Sequence, residues 1–164
     1  MKRWFALSLI IILLDQLSKY IAVDIIPLYE SIEVLPFFNW TLLYNEGAAF
    51  SFLSDQGGWQ RWFFIILSTI VTTVLAIWLF RLKDDEQSIA LSLSLIIGGA
   101  IGNLIDRVLL GHVVDFIHLH YQEYYWPAFN VADSAITVGV VIMIIDSLFF
   151  AQKREDRREE SGVT

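Results

Sequence analysis

The sequence predicts a mainly α-helical protein embedded in a membrane, with four spanning helices and a small strand-bearing segment outside the bilayer. Three observations carry that expectation. Of 164 residues, 56% are hydrophobic and 15% aromatic, and the mean hydropathy is +0.58, which is too apolar for an ordinary soluble domain of this size. Apolar runs at about residues 4–23, 62–80, 88–107 and 131–150 are each long enough, at about 1.5 Å per residue, to cross about 30 Å of hydrocarbon. No Pro/Gly/Ser-rich linker, repeat or low-complexity tract divides the chain, so residues 1–164 read as one membrane domain. There is no cysteine, which excludes disulfides, thiolate metal sites and a cysteine nucleophile.

The first run follows a basic start, Lys2 and Arg3, and so has the outline of a secretory signal peptide. No small-x-small cleavage site follows it. Asp15, Lys19 and Tyr20 instead continue a helical pattern to Val23. Asp15 and Lys19 lie one turn apart on one face, where they can pair, either as an interface anchor or facing a polar site. Residues 24–59 form the longest polar segment, with Pro27, Pro36 and short alternating runs, Ile32-Glu33-Val34-Leu35 and Phe38-Asn39-Trp40-Thr41-Leu42-Leu43, that suggest strands. Asn45-Glu46-Gly47-Ala48-Ala49-Phe50 follows, read either as a plain turn or as a loop whose small residues admit another backbone.

Residues 62–80 carry no charge and form the cleanest spanning run. After a charged turn at residues 81–87, the third helix carries Gly98 and Gly102 four apart, a nearly bare face for close packing. Asn103, Asp106 and Arg107 cluster at its far end. Residues 118–126 are an aromatic-rich link stopped by Pro127, and Asn130 or Asp133 can cap the fourth helix. Residues 152–164 read as a solvated, disordered charge run.

Topology follows from the cations. Lys2, Arg3, Arg81, Lys83, Lys153, Arg154, Arg157 and Arg158 are eight of eleven, and a four-helix path puts them on one side, the cytoplasm. Both termini are then cytoplasmic. Asp115 and Asp133 fall together near the outer interface, while Asp146 falls near the cytoplasmic end.

These two aspartates are the sequence's chemical signal. Each sits in apolar surroundings, Val113-Val114-Asp115-Phe116 and Phe129-Asn130-Val131-Ala132-Asp133, where a carboxylate must be paired, neutralised or used. Asp133 alone is explained by helix capping; Asp115 is not. If they meet, like charge leaves one proton shared between them, as in an aspartic protease. Asp106 and Arg107 are expected to lock the third helix to its neighbours, and Asn103 and Asn130 to donate to a substrate backbone or to serve structure alone. Asp115, His118 and His120 can also be read as metal ligands, though no His-Glu-x-x-His helix is present. A serine hydrolase lacks its G-x-S-x-G elbow. A small transporter remains as a non-enzyme alternative, since intramembrane charges also mark ion paths.

Five blocks, in order along the chain, resemble the bacterial lipoprotein signal peptidases (signal peptidase II): Asp15-x-x-x-Lys19; Asn45-x-Gly47-Ala48-x-Phe50; Gly99-x-x-Gly102-Asn103-x-x-Asp106-Arg107; Val114-Asp115-Phe116; and Phe129-Asn130-x-Ala132-Asp133. The resemblance covers nearly the whole chain. It implies an aspartic endopeptidase of the bacterial inner membrane that cuts prolipoproteins just before the diacylglyceryl-modified cysteine, with Asp115 and Asp133 as its catalytic pair. It further implies an extracytoplasmic β-cradle after Val23 and a short periplasmic helix near residues 118–126. Asp15, Lys19, Asn45, Gly47, Asn103, Asp106, Arg107 and Asn130 match positions that line or support the substrate site, where globomycin-type inhibitors bind. A monomer is expected, in contact with membrane lipids, with no metal or other cofactor and no nucleic-acid partner.

Overall fold

The computed structural model describes residues 3–47, 58–150, 152, 154 and 156. Ala48, Ala49 and Phe50 of the second block, and most of the charged tail, lie outside the described residues. Among the described residues, four helices are long and apolar enough to cross a membrane: α1 (Trp4–Ile25), α2 (Trp59–Arg81), α3 (Gln87–Leu109) and α4 (Val131–Phe149). None contains proline, so each can keep its backbone hydrogen bonds within itself, as hydrocarbon demands.

The third helix is the central one. Of its apolar stretch 56% is buried, against 22%, 11% and 22% for the other three. Lipid tails are as apolar as leucine, so helices associate by close approach and not by escape from water. Glycine supplies that approach here. A Cβ at Gly98 would lie 2.8 Å from the Ile11 Cβ on α1, and one at Gly99 would collide with the Ala132 carbonyl on α4. Hydroxyl groups then stitch the contacts: Ser8 Oγ donates to the Ser94 carbonyl at 2.9 Å, and Ser92 Oγ to the Gly139 carbonyl at 2.6 Å. On its remaining side α3 packs Ile89, Ala90, Leu93 and Ile97 against Leu79 and Leu82.

Four strands form one antiparallel sheet in the order β1 (Ser31–Leu35), β2 (Phe38–Asn45), β3 (Val113–Tyr121), β4 (Tyr124–Tyr125). Here the structure corrects the expected short helix near residues 118–126. His118, Leu119, His120 and Tyr121 continue β3, with Phe38 opposite Leu119 and Asn39 opposite His118. Val113, Val114, Phe116, Ile117 and Tyr121 of β3 are types that suit a pleat, and Gln122, at φ 52°, turns the chain so that Tyr125 pairs with His120. Ala22 of α1 and Ile26 just after it pack with Leu42, Val114 and Phe116, so the sheet sits over the end of the bundle where α1 and α3 finish and α4 begins.

The described tail residues also differ from expectation. Gln152, Arg154 and Asp156 are helical, and Arg154 binds the buried carboxylate of Asp146 through both nitrogens, at 2.6 and 2.5 Å.

Candidate active site

Two aspartates reach one cavity from different elements. Asp115 is the third residue of β3, opposite Leu43, and Asp133 is the third residue of α4. Both line a cavity of about 540 Å³, together with Asn45, Asn103, Arg107 and an apolar wall that includes Leu119, Phe129 and Ile136. The sheet brings one acid and the bundle the other, which is why neither element alone makes the site.

Asn130 resolves which residue caps α4. Its Oδ1 accepts the Asp133 N–H at 2.9 Å, so Asn130 is the cap and the Asp133 carboxylate is spared for the cavity. The same side chain donates Nδ2 to Asp115 Oδ1 at 2.7 Å and to Asn103 Oδ1 at 3.2 Å. Asn103 in turn donates Nδ2 to Asp133 Oδ1 at 2.7 Å, and Asn45 donates Nδ2 to Asp115 Oδ2 at 3.0 Å. The amides of Asn103 and Asn130, expected either to meet a substrate backbone or to serve structure, are turned, with that of Asn45, onto the two aspartates.

Behind this layer lies a buried ion cluster. Lys19 Nζ lies 2.8 Å from Asp15 Oδ2 and 2.8 Å from Asp106 Oδ2, and donates to Asn103 Oδ1 at 2.9 Å. Arg107 Nη2 donates to the Gly47 carbonyl at 3.1 Å, while Gly47 N donates to Asn45 Oδ1 at 3.1 Å. The Arg107 guanidinium also stands 5.1 Å over the Phe64 ring. All ten residues singled out in the sequence thus belong to one connected region, with Asp15, Lys19 and Asp106 one layer away from the cavity. The structure adds two that were missed. Gln16 Nε2 donates to Asp106 Oδ1 at 2.9 Å, a role signalled only by its being polar within a spanning run beside Asp15. Arg61 donates to the Arg107 and Val108 carbonyls at 2.9 and 2.8 Å, satisfying the last turn of α3.

The electrostatics follow from this wiring. Asp115 is 3% exposed. Burial first, and then the neighbouring charge of Asp133, push its carboxyl up to about 7, against the opposing pull of the Asn45 and Asn130 hydrogen bonds and the Lys19 charge. Lys19 is already held by Asp15 and Asp106, so neither cavity aspartate has that cation to itself. Two carboxyl groups in this setting can hold one proton between them, so that one accepts a proton from water while the other donates.

The metal reading of Asp115, His118 and His120 does not fit the pleat. Side chains alternate along β3, which puts Asp115 on one face and both histidines on the other. The histidines pack on Tyr125, with ring centroids 5.2 and 5.1 Å away. Among the described residues no group of three or more potential ligands occurs.

Comparison with known proteins gives the family and the fold. The family profile described as signal peptidase (SPase) II matches residues 7–149. A lipoprotein signal peptidase of Acinetobacter baumannii is 51% identical over 151 residues, 92% of this chain and 86% of the relative. One of Pseudomonas putida is 52% identical over 155 residues, 93% and 90% of the two chains. A bacterial membrane enzyme structure solved by the in meso method at 2.3 Å superposes with a TM-score of 0.79 at 37% identity, covering 90% of this chain and 88% of the other. With residues 7–149 matched by the family profile and most of each relative's length covered, the chain belongs to the signal peptidase II family and is a multi-pass membrane enzyme, an aspartic signal peptidase that cleaves lipoprotein signal peptides.

Proposed function

We propose that Asp115 and Asp133 are the acid/base pair of this endopeptidase, and that it cuts prolipoproteins immediately before the diacylglyceryl-modified cysteine. The observation that carries the assignment is the meeting of two acids, eighteen positions apart in the sequence, in one cavity where amides hold both and Asp115 is raised to about 7. The ionised member takes a proton from water as the water oxygen attacks the scissile carbonyl carbon. The protonated member gives its proton to the carbonyl oxygen, and on collapse of the tetrahedral intermediate the leaving amine takes a proton from the pair. As a coupled pair they titrate together.

The orientation we infer follows the cations. Arg3, Arg81, Lys83 and Arg154 stand at the end of the bundle away from the sheet, so that end is cytoplasmic and the cavity opens at the outer face of the bacterial inner membrane. Both termini are then cytoplasmic. A diacylglyceryl group is held in the bilayer by about 0.8 kcal/mol for each buried CH₂, so the modified cysteine stays at the level of the aspartates. Depth acts as the ruler for the cut. The enzyme works as a monomer among membrane lipids, and inhibitors of the globomycin type occupy the same cavity.

The test is to reconstitute the purified protein with a diacylglyceryl-modified precursor and with the same precursor unlipidated. The lipidated form should yield a product one signal peptide shorter, and the unlipidated form should be a far poorer substrate because its scissile bond is not held at the right depth and orientation. Equal cleavage of both would point to a general membrane-surface protease. No product from either would remove the assignment.

A further inference from the structure

We propose that Lys19 is the positioning residue of the aspartate pair: its buried ammonium sets both acids at once, through two carboxylates that each grip the backbone just before one of them. The inference rests on the reading of Asp115 and Asp133 as the pair. Asp15 Oδ1 accepts the N–H of Ala132 at 2.9 Å, and Ala132 immediately precedes Asp133. Asp106 Oδ2 accepts the N–H of Val114 at 3.2 Å, and Val114 immediately precedes Asp115. Lys19 Nζ lies 2.8 Å from each carboxylate. A third arm runs through Asn103, whose Oδ1 faces the ammonium and whose Nδ2 therefore faces Asp133.

The cluster is built for this purpose and closed to solvent. Asp15, Lys19 and Asp106 are 0%, 3% and 3% exposed. Gln16 occupies Asp106 Oδ1, leaving Oδ2 to Lys19 and Val114. Gly102 supplies the room, since a Cβ there would come 2.5 Å from Asp15 Oδ2. One helix thereby fixes the strand that carries one acid and the helix that carries the other. Without the ammonium, Asp15 and Asp106 lose the cation that holds them together and face each other as like charges in a dry site, so the backbone they grip loosens, and Asn103 loses the contact that orients its amide.

The test compares Lys19→Met, Lys19→Arg and the double variant Asp15→Asn/Lys19→Met. The double variant keeps the cluster's net charge: one cation against two carboxylates becomes one carboxylate. It also keeps an oxygen at position 15 for the Ala132 N–H. For each, kcat and KM on the lipidated precursor, the pH profile of kcat, and thermal unfolding are measured in the same bilayer. We expect kcat per folded enzyme to fall on the order of 100-fold in Lys19→Met and about tenfold or more in the double variant, with KM within about threefold of the parent. The acid limb should move to higher pH, because Asp115 loses a cation while still facing Asp133 of α4, Arg107 of α3 and the amides of Asn45 and Asn130. Lys19→Arg, which keeps the charge, should recover about tenfold over Lys19→Met. A double variant with the parent's kcat and pH profile, whether or not its melting temperature falls, would reduce Lys19 to a structural residue and overturn the proposal. Turnover by Asp115→Asn or Asp133→Asn, measured beside it, would instead remove the underlying pair.

Discussion

Asn130 and Asp115 are joined by a 2.7 Å hydrogen bond from the asparagine Nδ2 to the carboxylate, while the same asparagine caps α4 through the Asp133 N–H. One side chain thus ties the strand acid to the start of the helix that bears the other acid. The two jobs can be separated. Asn130→Ser retains an oxygen for the cap but has no amide to give Asp115, so it should stay folded, within roughly 1–2 kcal/mol of the parent, yet lose most of its turnover. Asn130→Ala should lose the cap as well and unfold at a lower temperature than the serine variant. Thermal unfolding beside kcat checks both. A serine variant as active as the parent would show that the amide has no part in the site.

Asp115→Asn and Asp133→Asn should each abolish cleavage and still insert into the membrane, because either change removes half of the proton exchange. Single-turnover cleavage of the lipidated precursor is the measurement, and substantial product from either variant would end the two-acid assignment.

The raised Asp115 also predicts a stability effect with a definite sign. Its carboxyl titrates near 3.8 when unperturbed and at about 7 in the fold. Between those values the unfolded chain gives up the proton and the folded chain keeps it, so stability falls as pH rises through that window and is lowest above about 7. The cost at pH 8 is on the order of 4 kcal/mol. Asp115→Asn should therefore unfold at about the parent's temperature at pH 4 and well above it at pH 8. Equal melting temperatures at pH 8 would mean the carboxyl is not strained by its site.

Asp146 is 1% exposed and held by Arg154 through both guanidinium nitrogens. Arg154→Ala leaves that carboxylate buried without this partner and should cost about 3 kcal/mol of stability. Asp146→Asn/Arg154→Gln should recover most of the loss. Thirteen residues of α4 separate Asp146 from Asp133, about 20 Å, so turnover per folded enzyme should be unchanged in all of these. A fall as large as that of the dyad variants would mean that the two ends of α4 are coupled.

A hydrolytic metal would have to be present to polarise the water. The pleat of β3 separates Asp115 from His118 and His120, so EDTA should leave turnover intact. Loss of activity on chelation, restored by zinc, would move the site to those three residues.

How much of this was legible in the chain varies by element, and for physical reasons. Hydropathy and length marked all four helices because the bilayer imposes both locally. The pairing of Asp15 with Lys19 was visible because one helical turn is a property of the helix alone. Residues 118–126 are expected to include a short helix because a short aromatic-rich run does not declare its partner; β2, some eighty residues earlier, holds His118 and Leu119 as strand. Whether Asn130 or Asp133 capped α4 was likewise open until one of them was seen to be needed elsewhere.

The sequence by itself determined that the protein lives in a membrane, how many times it can cross, and that two acids in apolar surroundings required an explanation. Those are consequences of composition and of periods of a few residues. Only the tertiary structure decided that Asp115 shares a cavity with Asp133, that Gln16 and Lys19 stand behind them, and that Asp15 grips the backbone at Ala132, 117 positions away. A helical period fixes depth and face relative to the helix's own axis. It leaves open which face turns toward which neighbour, and that is settled by the close approaches at Gly98, Gly99 and Gly102 and by the sheet that closes one end of the bundle.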